Sequence, residues 1–234
     1  NLSVHIKDPL PETSNPNYRR RDLNIVPVMH DLYGTPLPAS IAFSGVFTLS
    51  GGAWTVPVLI DYWGNSTMND PADPSTFKQA MNNYACPYLG AYSNNSKTMY
   101  TTLFGGISFG FFTNGVFSTD SELPFINQIT TITLDKNGDY AQYLMDGEYP
   151  VILSTGSNPG NQLLFGAGAK FFPANDIPSY DNGVFKLDKL GREPLLVGYI
   201  VGGIMSTLPN TNTASDSTAS PYIFRVTMTP AHSR

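Results

Sequence analysis

The chain has 234 residues, of which 41% are hydrophobic and 12% aromatic, ample for a real core, and only 13% are charged, about half the share in an average soluble domain. Its net charge of −5 and its single cysteine exclude a whole-chain electrostatic footprint for nucleic acid and a framework of internal disulfides. Length alone allows two domains, but all-β domains often run this long as one.

Residues 1–38 read as an extended arm. LSVHI has strand composition, but Pro9, Pro11, Pro16, Pro27, Pro36 and Pro38 interrupt the rest of the segment. Proline has no amide to give to a ladder and is confined to edges and bulges. Arg19, Arg20 and Arg21 form the only basic run. They read either as a solvated turn or as an assembly arm that anchors on an acidic partner surface or a phosphate. Nucleic acid is an expected partner nowhere else.

Residues 39–234 read as one all-β domain. SIAFSGVFTL and WTVPVLIDYW have strand character, with Pro57 marking an edge or bulge. Asp61, Tyr62 and Trp63 stand at the end of the second strand, with Trp54 nearby in sequence. An acid beside two aromatics is a candidate surface for a carbohydrate or another polar ligand, and burial there would raise the acid's pKa. A polar loop, residues 65–74, comes next. Asp73 then stands as an N-cap with Pro74 at the first helical position. Phe77, Ala80, Met81 and Tyr84 recur at three and four residues, which predicts one short helix near 74–85.

The stretch 100–145 organises the rest. It contains Asn114-Gly115 and Asn137-Gly138, a pair of residues that tolerates the two positive φ angles of a type I′ hairpin turn. A two-residue turn at 137–138 places Leu134 opposite Ala141, Ile132 opposite Tyr143 and Thr130 opposite Met145. That gives one largely apolar face and one of Thr131, Thr133, Asp135 and Gln142, as in an antiparallel sheet over a core. Downstream, PVILST, QLLFGAGAKFF, VFKL, PLLVGYIVGGIM and YIFRVTMT read as strands, and Asn182-Gly183 is a third hairpin signal. Residues 206–221 form a polar loop, long enough to be mobile or functional. The pattern predicts about eleven to thirteen strands in an antiparallel β-sandwich, jelly-roll-like, or a barrel.

Several spacings touch on chemistry. Gly106, Ser108 and Gly110 match G-x-S-x-G, but a hairpin comes after it rather than the helix that a nucleophile elbow requires. Asp135, Asn137 and Asp139 open like an EF-hand calcium loop, but Tyr140 occupies the glycine position and Asp146 the final glutamate position. His5, His30 and His232 show no metal-ligand spacing. His30 and Asp31 point to opposite faces of a strand. The four glutamates, Glu12, Glu122, Glu148 and Glu193, all lie beside turn residues, unlike a positioned glycosidase pair. No P-loop is present. Cys86 reads as a buried small hydrophobe. No cofactor is expected, calcium apart.

No apolar run reaches the roughly 18 residues of a membrane-spanning helix. A start at Asn1 without a signal-peptide pattern fits a processed mature chain. Sequons at Asn1, Asn65 and Asn94 support secretion. A surface poor in charge suits extracellular proteins and subunits covered by neighbours. The expected function is therefore a non-enzymatic structural or interaction subunit, homo-oligomeric, of an extracellular or particle assembly, capsid- or filament-like. The alternative is a secreted module that binds a glycan or other ligand. A serine hydrolase using Ser108 is the weaker third reading.

Overall fold

The structure is a computed structural model that describes residues 3–5, 15–32 and 34–230. Sixteen strands and two short 3-10 turns are found among these residues. The first sheet takes β1 (Asn24–Leu32), β2 (Thr35–Phe43), β3 (Val58–Ile60) and β4 (Ser66–Thr67) in sequence order. The next strands are β5 (Tyr88–Ser93), β6 (Thr98–Ile107), β7 (Gly110–Thr113), β8 (Val116–Thr119), β9 (Phe125–Leu134) and β10 (Tyr140–Glu148). After them come β11 (Lys170–Pro173), β12 (Phe185–Lys186), β13 (Leu195–Val201), β14 (Ile204–Ser206), β15 (Ser217–Ala219) and β16 (Ile223–Met228). The central sheet has the order β10-β9-β6-β5-β12, and an outer sheet the order β11-β13-β16. The hairpins β7–β8 and β14–β15 stand apart.

Alternation along the central strands explains why this sheet has a core on each face. Met99, Leu103, Ile132 and Leu134 pack with Val26, Val28, Ile41 and Phe43 of the first sheet. On the opposite face, Leu89, Ala91 and Phe104 pack with Val197 and Ile200 of the outer sheet and with Phe165. The fold is all-β and sandwich-like, as the turn spacing predicted.

Three expectations change. The segment read as an arm to residue 38 is part of the body from Asn24 onward. β1 pairs with β2 along its whole length, and Val26 and Val28 are fully buried. Pro27, Pro36 and Pro38, which argued against this, all fall in the β1–β2 ribbon, where they face Ser40, Asp31 and Met29. Pro27 lies on the edge strand β1, and Pro36 and Pro38 lie on the part of β2 that β3, paired only with Ser40, Ile41 and Ala42, does not reach, so each stands where a sheet tolerates proline.

The helix near 74–85 does not form. Asp73 does cap, accepting from the Ser75 N–H at 2.8 Å and the Ser75 hydroxyl at 2.7 Å. Beyond that first turn, however, the backbone finds partners far along the chain. The Gln79 N–H donates to the Thr55 carbonyl at 2.9 Å, and the Ala80 and Met81 N–H groups donate to the Gln142 side chain. Tyr84 bridges to Ile107. The Gln142 side-chain amide replaces helical bonds, and of the three-four stripe Met81 and Tyr84 are buried, Phe77 is half-buried and Ala80 is exposed.

The Asn137-Gly138 hairpin is shifted by one residue. Leu134 faces Tyr140, Ile132 faces Gln142 and Thr130 faces Leu144. The two-residue register does not form, because the Asp135 carboxylate accepts from the N–H groups of Asn137 at 2.8 Å and Asp139 at 3.0 Å. Only Gly138 then needs a positive φ, +87°. A one-residue shift exchanges faces, so Tyr140 turns inward to stack on Phe77 at 5.3 Å, while Tyr143 and Met145 turn to solvent. At Asn114-Gly115 the two-residue turn does form, with φ of +51° and +78° and Thr113 opposite Val116.

Candidate interaction surfaces

The loop after β3 is built by Asp61. Its Oδ1 accepts from the N–H groups of Trp63 at 2.9 Å and Asn65 at 2.8 Å, and its Oδ2 accepts from the Asn65 side-chain amide at 2.9 Å. These bonds, the Asn65 side chain first, hold the Asp61 carboxyl below its ordinary value. The expected upward shift does not occur, because the group is solvated and hydrogen-bonded where burial had been expected. Asp61 is thus a loop-former. It presents Tyr62 and Trp63, 58% and 64% exposed and edge-to-face at 5.8 Å. Trp54 is buried elsewhere and is no part of this pair.

Of the basic run, Arg20 turns onto the body, while Arg19 and Arg21 are exposed. The Arg20 guanidinium donates to the carbonyls of Ser44 at 3.1 Å and Val56 at 2.7 Å and lies 4.7 Å from the Trp54 ring centre. Burial pushes its pKa down to about 10, so it stays charged at neutral pH. The Trp54 indole donates to the Arg19 carbonyl at 2.8 Å. Arg21 pairs with Asp22 at 2.9 Å and covers Phe47. Of the three guanidinium groups offered as an anchor, Arg20 is spent on the body and Arg21 already has an acidic partner.

Asp135, Asn137 and Asp139 sit together at a hairpin tip, but Asp135 is occupied by backbone donors and by the Asn137 amide at 3.3 Å. Among the described residues no three His, Cys, Asp or Glu side chains are grouped as metal ligands.

Ser108 is 0% exposed, and its hydroxyl donates to the Gly110 carbonyl at 2.6 Å. The two glycines of its motif have a packing cause. A Cβ on Gly106 would lie 2.6 Å from that of Cys86, and one on Gly110 would collide with the Ala80 carbonyl. This geometry presents no exposed nucleophile. His232, the histidine downstream in sequence, lies outside the described residues. Burial raises the Cys86 thiol to about 12, which leaves it protonated and inert.

Two clefts among the described residues bear on chemistry. One, about 270 Å³, lies between β5, β11 and the turn at 182–185. It is walled by Leu89, Phe171, Val184 and Phe185, and its titratable groups are Cys86, Tyr88 and Lys170. The other, about 120 Å³, is lined by His30, Phe77 and Tyr140. Burial lowers the His30 pKa against the opposing pull of Asp31 and Asp61. The Asp31 carboxylate instead accepts from the Tyr92 hydroxyl at 3.2 Å, so the two neighbours diverge as strand alternation requires. Neither cleft brings an acid, a base and a nucleophile together.

Sequence reasoning missed the outward face of the β11-β13-β16 sheet. Register places Phe172, Tyr199 and Arg225 in one row across it, with Lys170, Val201 and Ile223 in the next. Phe172 is 54% and Ile223 66% exposed. The available signal was Ile223 and Arg225 on the outward set of YIFRVTMT, opposite an inward set of Tyr222, Phe224, Val226 and Met228. No family model, no curated protein and no solved structure matches the chain.

Proposed function

We propose that this chain is a non-enzymatic structural subunit that associates with copies of itself in an extracellular or particle assembly, capsid- or filament-like. The observation that carries this reading is the outer sheet, whose inner face is core and whose outer face still exposes Phe172, Leu196, Tyr199 and Ile223 among Lys170, Arg225 and Thr227. Contiguous exposed apolar surface of this kind marks interaction sites, and interface cores are rich in aromatic residues and Arg and poor in acids. The low charge of the whole chain and the exposed positions of Asn65 and Asn94 fit the same setting. Size-exclusion chromatography with light scattering over a concentration series tests the reading. Rising mass with concentration supports it, and a strict monomer throughout overturns it.

A second reading, a glycan-binding module, is favoured by one specific feature, the exposed Tyr62–Trp63 pair on a loop fixed by Asp61. Aromatic faces stack on apolar faces of sugars, and a pre-ordered loop lowers the entropy cost of binding. A glycan array probed with the wild type and with Trp63→Ala decides it: binding lost in the variant supports this reading, and no binding by the wild type removes it.

A further inference from the structure

Two exposed apolar patches lie on different sheets of this chain, and the charges around them are of opposite sign. The first is the outer face of the β11-β13-β16 sheet, where Phe172, Tyr199, Ile223 and Leu196 are exposed beside Lys170 and Arg225. The strand residues of this face include no acid. Among the described residues neither cation has a carboxylate within ion-pair distance. The second patch is β10, the end strand of the central sheet. Tyr143, Leu144 and Met145 are exposed there in succession, with exposed Asp146 and Glu148 just beyond them.

β10 is also an edge with no strand on its outer side. Its ladder with β9 is regular from Tyr140 to Leu144, then breaks until Glu148. Natural sheets blunt such edges with Lys, Pro, a bulge or a short strand. β10 spans nine positions without Lys or Pro, and its bulge and its acids fall after Leu144, so the regular part of the edge is not blunted. Large apolar side chains exposed along such an edge are an aggregation hazard unless something of matching chemistry covers them.

We infer that the cationic apolar face of the outer sheet docks the acidic apolar β10 strand of a second copy of this chain. This rests on the assembly reading above and specifies which surfaces make the contact. Phe172, Tyr199 and Ile223 supply the apolar centre, against the β10 edge, to which Tyr143 and Met145 contribute from one side and Leu144 from the other. Lys170 and Arg225 face Asp146 and Glu148 across the rim. Since the two surfaces differ, the contact is heterologous: each copy offers one donor and one acceptor surface, and repetition gives a ring or an open array rather than a two-fold dimer.

The test is a charge swap on the full-length chain, read by sedimentation velocity. Lys170→Glu/Arg225→Glu makes both patches acidic, and Asp146→Lys/Glu148→Lys makes both basic. Each double variant should associate at least about 100-fold more weakly than the wild type, since like charges then oppose across the contact. An equimolar mixture of the two should regain mass, because each variant's altered patch now complements the other's. That recovery also shows both variants to be folded. A wild type that associates while both variants associate equally well overturns this contact and leaves the assembly reading standing. Variants that weaken but fail to recover on mixing also overturn the pairing. A wild type that never associates removes the assembly reading, and the contact with it.

Discussion

Single side chains carry unusual structural weight here, and most of those that do are uncharged amides. Asn83 is fully buried, donates to the carbonyls of Gly105 at 2.8 Å and Gln128 at 3.1 Å, and accepts from the Thr130 hydroxyl at 3.2 Å. Asn82 accepts from the Phe109 N–H at 2.8 Å, and Asn127 ties the Leu163 carbonyl to the Phe165 N–H. These amides do the work that ladder bonds do in regular structure. Removing one strands several buried groups at once, so Asn83→Ala should cost about 3 kcal/mol, against about 1 kcal/mol for an ordinary single hydrogen bond. A urea denaturation midpoint measures this. Arg20→Ala should cost about 2–3 kcal/mol by leaving the Ser44 and Val56 carbonyls without their donors. Arg20→Lys should recover only part, because an ammonium cannot reproduce the planar fork over Trp54. An Arg20→Ala variant as stable as the wild type would mean that water replaces the guanidinium at no cost.

At the scale of elements, alternation and turn residues made the strands legible, whereas the details of three segments depended on bonds that local pattern does not reveal. The helix signal at 73–84 was locally sound: an N-cap, a proline and a stripe. It failed because Gln142, about sixty residues on, captures the backbone of Ala80 and Met81. The hairpin at 137–138 was placed correctly but was off by one, because a neighbouring carboxylate outweighed the Asn-Gly preference. The segment 206–221, expected as one long loop, instead contains β15 paired back onto β14, and the connection between them is ordered around Asp216, whose carboxylate accepts from the N–H groups of Asn212 at 2.9 Å and Thr213 at 2.7 Å and from the Asn158 amide at 3.1 Å. The Asn212 bond leads in holding its pKa below the ordinary value, and Asp61, Asp73 and Asp120 are held low by similar loop-capping bonds. A carboxyl with a depressed folded-state pKa contributes stability above its unfolded value, near 4, and loses it as pH falls through the folded value. Stability should therefore decline below about 4 on account of these carboxyls, and His30 should remove some already from about 6.5 downward, because the unfolded imidazole takes up a proton that the buried one resists. Asp216→Asn should start lower at pH 7 and decline less steeply on acidification. Melting temperatures across pH 2.5–7 check both statements, and identical slopes for wild type and variant would show that Asp216 does not take part.

The whole molecule is held together by one sheet with a core on each face, and its unfolding should reflect that. Leu103 and Phe104 are adjacent on β6, yet Leu103 packs with Val26, Ile41 and Phe43, while Phe104 packs with Phe165 and Val197. Neither outer layer can lose its core without uncovering one face of the central strands. The three layers should therefore unfold together, even though a chain of this length exceeds the range in which one transition is the rule. Trp54, buried beside Arg20, reports on the side of the first sheet, whereas Trp63 is exposed and changes little on unfolding. Tryptophan fluorescence should thus follow one half of the molecule and far-UV circular dichroism the whole, and their denaturation curves should coincide. Leu103→Ala in one core and Phe165→Ala in the other should each shift both curves together, by about 3 and 4 kcal/mol respectively. If Phe165→Ala moves the dichroism curve and leaves the Trp54 signal in place, the two cores are independent and the central sheet does not couple them. Coincident shifts would mean that a contact made on the outer sheet stabilises the opposite face as well. Association with a second copy would then raise the stability of the entire chain by mass action.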